Sequence, residues 1–259
     1  MQWVGFAMQR RGPRTRDMLI KRNEMEMSPV RKTLHFETTD SLGGHALEVP
    51  VTDLVIAGWT GSDAAAIEAH ILELEALGVR RPKKTPIFYR GAATLLTQRE
   101  SIEVVGSTAS GEVEPVIFSS ERGLWLGIGS DHTDREVETV GITISKQMCA
   151  KPVSTRVWAF EEVAGHWNEL IVRSWMTKGG ERRLYQEGPL AKIRHPTELL
   201  RLYGGDGYVP APGLVMFCGT LAVHGNLEPA ERFEMELEDP VLQRRLSHSY
   251  RVSELPIEG

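Results

Sequence analysis

The stretch SGEVEPVIF, residues 110–118, places two glutamates one residue apart at the start of an apolar run. An extended chain alternates its side chains between faces, so Glu112 and Glu114 project from the same side. Val113 and the run Val116-Ile117-Phe118 read as a strand with at least one face in a core. Two carboxylates side by side near a core repel, and one is pushed to stay protonated. Such a pair points into water, shares a proton or shares a cation. A second apolar run, LWLGIG (124–129), leads into the polar turn GIGSDHTDRE (127–136), which sets Asp131 at a strand end. Two glutamates on one strand face and an aspartate from a neighbouring strand supply three oxygen ligands, the donor type that hard divalent cations such as Mg²⁺ prefer.

Working outward, short apolar runs separated by Gly, Pro and Asp continue on both sides: PIFYR (86–90), SIEVVG (101–106), VGITIS (140–145), LIVRSWM (170–176), LVMFCGT (214–220) and RFEMELED (232–239). They read as the strands of a β-rich body, with short helices around FEEVAGHWNEL (160–170) and HPTELLRLY (195–203). Upstream, TLHFET (33–38) and DLVIAGW (53–59) also read as strands. The segment GSDAAAIEAHILELEALGV (61–79) reads as a helix, capped by Ser62 or Asp63 and stopped by Gly78. Ile67, Ile71, Leu74 and Leu77 fall at helical spacing and form its expected buried stripe. Residues 1–30 are rich in Arg and Met and show no apolar period, so they read as a disordered tail or an over-called start of translation. A mitochondrial transit peptide is the alternative, weakened by Asp17, Glu24 and Glu26.

Composition narrows the function classes. The chain has 259 residues, 41% hydrophobic and 25% charged, with a formal net charge of −5 and a pI near 5.9. An acidic balance argues against a nucleic-acid surface, and no apolar run approaches the roughly 20 residues that span a bilayer. With only Cys149 and Cys218, a disulfide scaffold is excluded and a reduced, cytoplasmic setting is expected. No serine sits in a G-x-S-x-G elbow, and GIGSDH lacks the spacing of a dinucleotide site. His132, beside Asp131, is a runner-up ligand or base, although on a strand it points the other way.

The segments IAGW with AHILE, then TPIFYR, GEVEP, SDHTDRE, KQMCAKP, ERRLYQEG and PGLVMFCGT occur in one order over roughly residues 54–252. That order resembles the fumarylacetoacetate hydrolase superfamily. The resemblance implies an α+β, β-rich fold, a mixed β-sandwich or roll with a small N-terminal strand-helix region. It divides the chain into a tail (1–30), a lid region (31–84) and a β-rich catalytic domain (85–259). It implies metal ligation by Glu112, Glu114 and Asp131, with Mg²⁺ as the ion and Mn²⁺ or Ca²⁺ as alternatives. His70 and Glu73 match a water-activating dyad, and Lys146 matches an active-site lysine, in competition with Lys151. Arg90, Arg135 and Thr220 match substrate-binding positions. The implied chemistry is hydrolysis of a C–C bond in a small β-dicarbonyl or 2-oxo acid. Decarboxylation, tautomerisation, enamide hydrolysis and a non-catalytic binding role are the alternatives. The expected partner is a small carboxylate, without nucleic acid or membrane. A homodimer is expected too, because relatives commonly dimerise and Trp125, Trp158, Trp167 and Trp175 offer apolar surface. Ser130, Glu136, Leu214 and Leu221 depart from the superfamily's motifs, and an insert precedes His70.

Overall fold

The computed structural model describes residues 32–38, 43–76, 81–82 and 84–258. The tail expected over residues 1–30 lies outside the described residues. Two sheets dominate. The larger has eight strands, in the order Ala46–Val51, Lys32–Thr38, Arg156–Ala159, Gly123–Ser130, Val113–Ser120, Leu214–Phe217, Asp53–Gly58 and Ile87–Gly91. The smaller has five, in the order Glu181–Pro189, Ile171–Lys178, Arg232–Asp239, Arg244–Leu255 and Ser101–Val105. This strand-rich α+β architecture with a curled sheet is the expected one.

The strand Val113–Ser120 sits at the centre because it is apolar on both faces. Val113 and Ile117 pack with Val55, Ile128, Met216 and Met235 in one core cluster. Val116 and Phe118 pack with Leu34, Val49 and Phe217 in the other. Side-chain alternation puts Glu114 on the Val116–Phe118 side, continuing a face that is otherwise apolar. The boundary expected near residue 84 does not divide the sheet: Asp53–Gly58 pairs in parallel with Leu214–Phe217, Leu54 aligning with Val215.

The helix of the N-terminal region spans Ala64–Ala76. Asp63 caps it, its carboxylate accepting from the Ala65 N–H at 2.8 Å, and Ile71 is buried. Positions 70 and 73 fall within this helix, but the side chains of His70, Glu73 and Leu74 lie outside the described residues, as does Leu77.

The strand expected at VGITIS is not formed. The chain instead makes two short helices, Arg135–Val140 and Ile142–Met148. Its β-branched residues imitate a strand, but the Asp134 carboxylate accepts from the Val137 N–H at 2.9 Å and starts a helix there. The helical turn buries Ser145 and Lys146 and leaves Val140, Ile144 and Met148 exposed. The tryptophans also depart from expectation. Trp125, Trp158 and Trp167 are buried in this chain's own core, and the Arg182 guanidinium covers Trp175 at 4.5 Å from its ring centroid. Of the four, only Trp175 is partly exposed, so they give little ground from which to argue a dimer.

Candidate metal centre

The site begins with the hairpin Val113–Ser120/Gly123–Ser130, in which Glu114 lies opposite Gly129 and Val113 opposite Ser130. The ladder runs one step further, because the Asp131 N–H donates to the Glu112 carbonyl at 2.9 Å. That bond brings Asp131 beside the two glutamates. One carboxylate oxygen from each of Glu112, Glu114 and Asp131 lies within 4.8 Å of the others. Glu114 and Asp131 are buried, so the cluster is not a solvated sheet edge.

Backbone and side chains fix each member. The Gly219 N–H donates to Glu114 Oε2 at 2.7 Å. Gly219 has φ +104°, and a Cβ there would lie 1.7 Å from Thr60 Oγ1, so only glycine can bring its N–H to the glutamate. Arg135 braces Glu112, its Nη2 lying 3.2 Å from Oε1, while its Nε donates to Ser110 Oγ at 2.7 Å and its Nη1 to Glu138 at 2.9 Å. Two lysines reach Asp131. Lys146, on the helix Ile142–Met148, is hydrogen-bonded to Oδ2. Lys151 Nζ is 3.0 Å from Oδ1 and also donates to the His132 carbonyl.

The electrostatics follow from this arrangement. Burial pushes Glu112 upward, against the charges of Arg135 and Lys146. Burial and the charge of Asp131 push Glu114 well above the usual carboxylate range. Asp131 goes the other way: burial would raise it, but Lys151 and Lys146 overcome that and hold it at about 2. Lys146 rises above its usual value, because Asp131, Glu112 and Glu114 outweigh its burial. Among the described residues Glu114 has no cation at ion-pair distance, and Glu112 and Asp131 share the three that are present. An all-oxygen donor set with that deficit fits a hard divalent ion.

The other expected site residues divide. Thr220 is adjacent, but its hydroxyl donates to the Val113 carbonyl at 2.8 Å and accepts from Gln186 Nε2 at 2.7 Å. Arg135 is inside the site, committed to Glu112. Arg90 is not: it pairs with Asp53 and donates to the Tyr203 hydroxyl at 3.0 Å. Its neighbour Tyr89 takes the site-facing position, as strand alternation requires, with its ring centroid 5.8 Å from Lys146 Nζ. His132 turns away from the carboxylates. Its Nδ1 lies 2.9 Å from the Tyr250 hydroxyl, which donates to Ser130 Oγ, and burial with the Lys151 charge lowers it to about 3.

Sequence reasoning gave no role to Gln186. This buried amide donates to Thr220 and to the Leu221 carbonyl at 2.7 Å, and accepts from the Val113 N–H and from Ser174 Oγ at 3.0 Å. Both donors and both acceptor positions are used. It ties the glutamate strand to the loop that carries Gly219. Its signal was the motif ERRLYQEG, whose glutamine could have been singled out.

Comparison with known proteins bears on the family and the fold. The model of the DUF2848 family, described as a protein of unknown function, matches residues 57–250. No curated protein matches. Solved structures of the same fold include a protein described as a fumarylpyruvate hydrolase from Burkholderia cenocepacia, 19% identical over 89% of this chain and 99% of that one, with a TM-score of 0.56. A yeast fumarylacetoacetate hydrolase family protein is 17% identical over 80% of this chain and 95% of its own, with a TM-score of 0.56. The 5-carboxymethyl-2-hydroxymuconate delta-isomerase of Mycobacterium smegmatis is 13% identical over 83% and 88%, with a TM-score of 0.57. The chain thus belongs to the DUF2848 family and is built on the fumarylacetoacetate hydrolase fold.

Proposed function

We propose that the protein is a divalent-metal-dependent hydrolase, acylpyruvase-like, that cleaves a C–C bond of a small β-dicarbonyl or 2-oxo acid. The observation that carries this reading is the convergence of Glu112, Glu114 and Asp131 within 4.8 Å, with a lysine ammonium against Asp131. The three carboxylates would hold the ion, with Mg²⁺ favoured because the donors are all oxygen. When bound, a divalent ion supplies Lewis-acid polarisation of a carbonyl and stabilisation of enolate charge.

The chain's own groups supply the rest. By the resemblance, His70 paired with Glu73 is the base that takes a proton from water as the water oxygen attacks the acyl carbonyl. The C–C bond breaks and its electron pair passes to the leaving enolate, which takes back the proton held by His70, giving an acid and an enol that tautomerises. Lys146 neutralises carboxylate or enolate charge. Arg135 acts through Glu112, and Thr220 shapes the site through its bonds to Val113 and Gln186, so neither is assigned a direct substrate contact. The helix carrying His70 closes over the substrate as a lid.

Tautomerisation or decarboxylation is the second reading. Lys146, the ammonium at Asp131 that is not fully buried, offers a proton for the enolate carbon without an attacking water. Turnover on a panel of acylpyruvates at saturating Mg²⁺ separates the two. His70→Ala should lower hydrolysis by about 10²-fold or more with metal binding intact, and Glu73→Gln should cost less. Near-wild-type hydrolysis by both variants would move the assignment to the second reading.

A further inference from the structure

Three cations surround the carboxylate triad, and they differ in how firmly they are held. Lys151 is fully buried and tied to both Asp131 and the His132 carbonyl. Arg135 is held by Ser110, Glu112 and Glu138 together. Lys146 is different. Asp131 Oδ2 is its one carboxylate partner at ion-pair distance among the described residues, and its helix, Ile142–Met148, exposes Ile144 and Met148 to solvent on the far side. A lysine also carries its charge on a flexible four-carbon stem, which can withdraw without moving backbone.

We propose that the Lys146 ammonium is a built-in counter-ion of the triad, and that a divalent ion binds by displacing it toward the ring of Tyr89. This rests on the metal reading given above. The carboxylate oxygens lie within 4.8 Å of one another, so an ammonium bonded to Asp131 lies beside the space that an ion bridging all three would take. Its charge acts on Glu112 and Glu114 as well as on Asp131. An ammonium and a divalent ion in that space repel, and the more mobile of the two yields.

The structure provides a place for the displaced group. The Tyr89 ring lies 5.8 Å from Nζ, within cation–π range. The Trp59 side chain lies within hydrogen-bonding reach of the Tyr89 hydroxyl. Trp59 adopts φ +61°, an uncommon backbone for a bulky residue, which persists where surrounding structure over-determines it. Displacement has a consequence for order of binding. The ion frees an ammonium that can meet an anionic substrate, so metal precedes substrate.

The test is calorimetric titration of Mn²⁺ into the chelator-treated protein and into Lys146→Met. Removing the competing ammonium should tighten Mn²⁺ binding by about tenfold or more. The chelated variant should also melt below the wild type, and Mn²⁺ should raise its melting temperature by more. Should Lys146→Met fold poorly, acylation of the unmodified protein followed by peptide mass analysis gives the same information. Mn²⁺ should raise labelling of Lys146 several-fold while Lys151 stays protected. Equal or weaker Mn²⁺ binding by Lys146→Met, or Lys146 labelling that is unchanged or lower with Mn²⁺, overturns the displacement and leaves the metal reading standing. Absence of Mn²⁺ binding in both proteins overturns the metal reading, and the displacement with it.

Discussion

Lys151→Met is the substitution whose effect can be worked most fully from the geometry. The wild-type ammonium has no exposed surface, sits 3.0 Å from Asp131 Oδ1 and donates to the His132 carbonyl. Methionine preserves most of the volume but leaves a buried carboxylate with one of its two counter-charges. Breaking a buried pair costs about 3–5 kcal/mol, and a stranded buried carbonyl adds about 1–3 kcal/mol. Lys146 still holds Asp131 Oδ2, so the loss should fall near the low end of the sum, about 4–5 kcal/mol. The pH dependence is specific. Asp131 is held at about 2 in the folded chain, below its usual 3.8, so its contribution is present above pH ~4 and lost as pH falls toward 2. That difference corresponds to roughly 2 kcal/mol at neutral pH. Urea unfolding in chelator at several pH values should therefore show the full gap between wild type and variant at pH 7, narrowing between about pH 4 and 2. A gap under ~1 kcal/mol at pH 7, or one indifferent to pH, would refute the claim that Lys151 is the fixed counter-charge of Asp131.

Other expectations follow from the same contacts. Gln186→Leu strands the Val113 N–H and the Leu221 carbonyl and should cost about 2–4 kcal/mol in urea unfolding; a change under ~0.5 kcal/mol would show that water replaces the amide. Glu114→Gln keeps an acceptor for the Gly219 N–H, so the fold should survive while metal-dependent thermal stabilisation and turnover disappear; a retained thermal shift with Mg²⁺ would misplace the site. The chain should also dimerise, as expected of its relatives, and a monomeric mass by light scattering at micromolar concentrations would remove that expectation.

The parts of the fold readable in the sequence were those governed by local periodicity. Glu112 and Glu114 share a face because a strand alternates, and Asp131 sits opposite them because a polar turn follows a second apolar run. Lys151 was harder to place, since a lysine beside a proline usually lies in water. Its burial depends on the short pairing of Lys151–Pro152 with Leu96–Thr97, residues distant in the sequence. The run VGITIS misled because β-branched residues favour strands, whereas the Asp134 cap and the exposed far side of the helix select a different period. Arg90 misled by a register of one: its neighbour Tyr89 faces the site. The tryptophans looked like spare surface because only the folded chain shows that three of them fill its own core.

The metal assignment is tested most directly by an anomalous difference map from a crystal soaked in Mn²⁺. The expected peak lies about 2 Å from a carboxylate oxygen of each of Glu112, Glu114 and Asp131, and it vanishes in a Glu114→Gln crystal. A map with no density among these three carboxylates, from protein that binds Mn²⁺ in solution, would contradict the assignment.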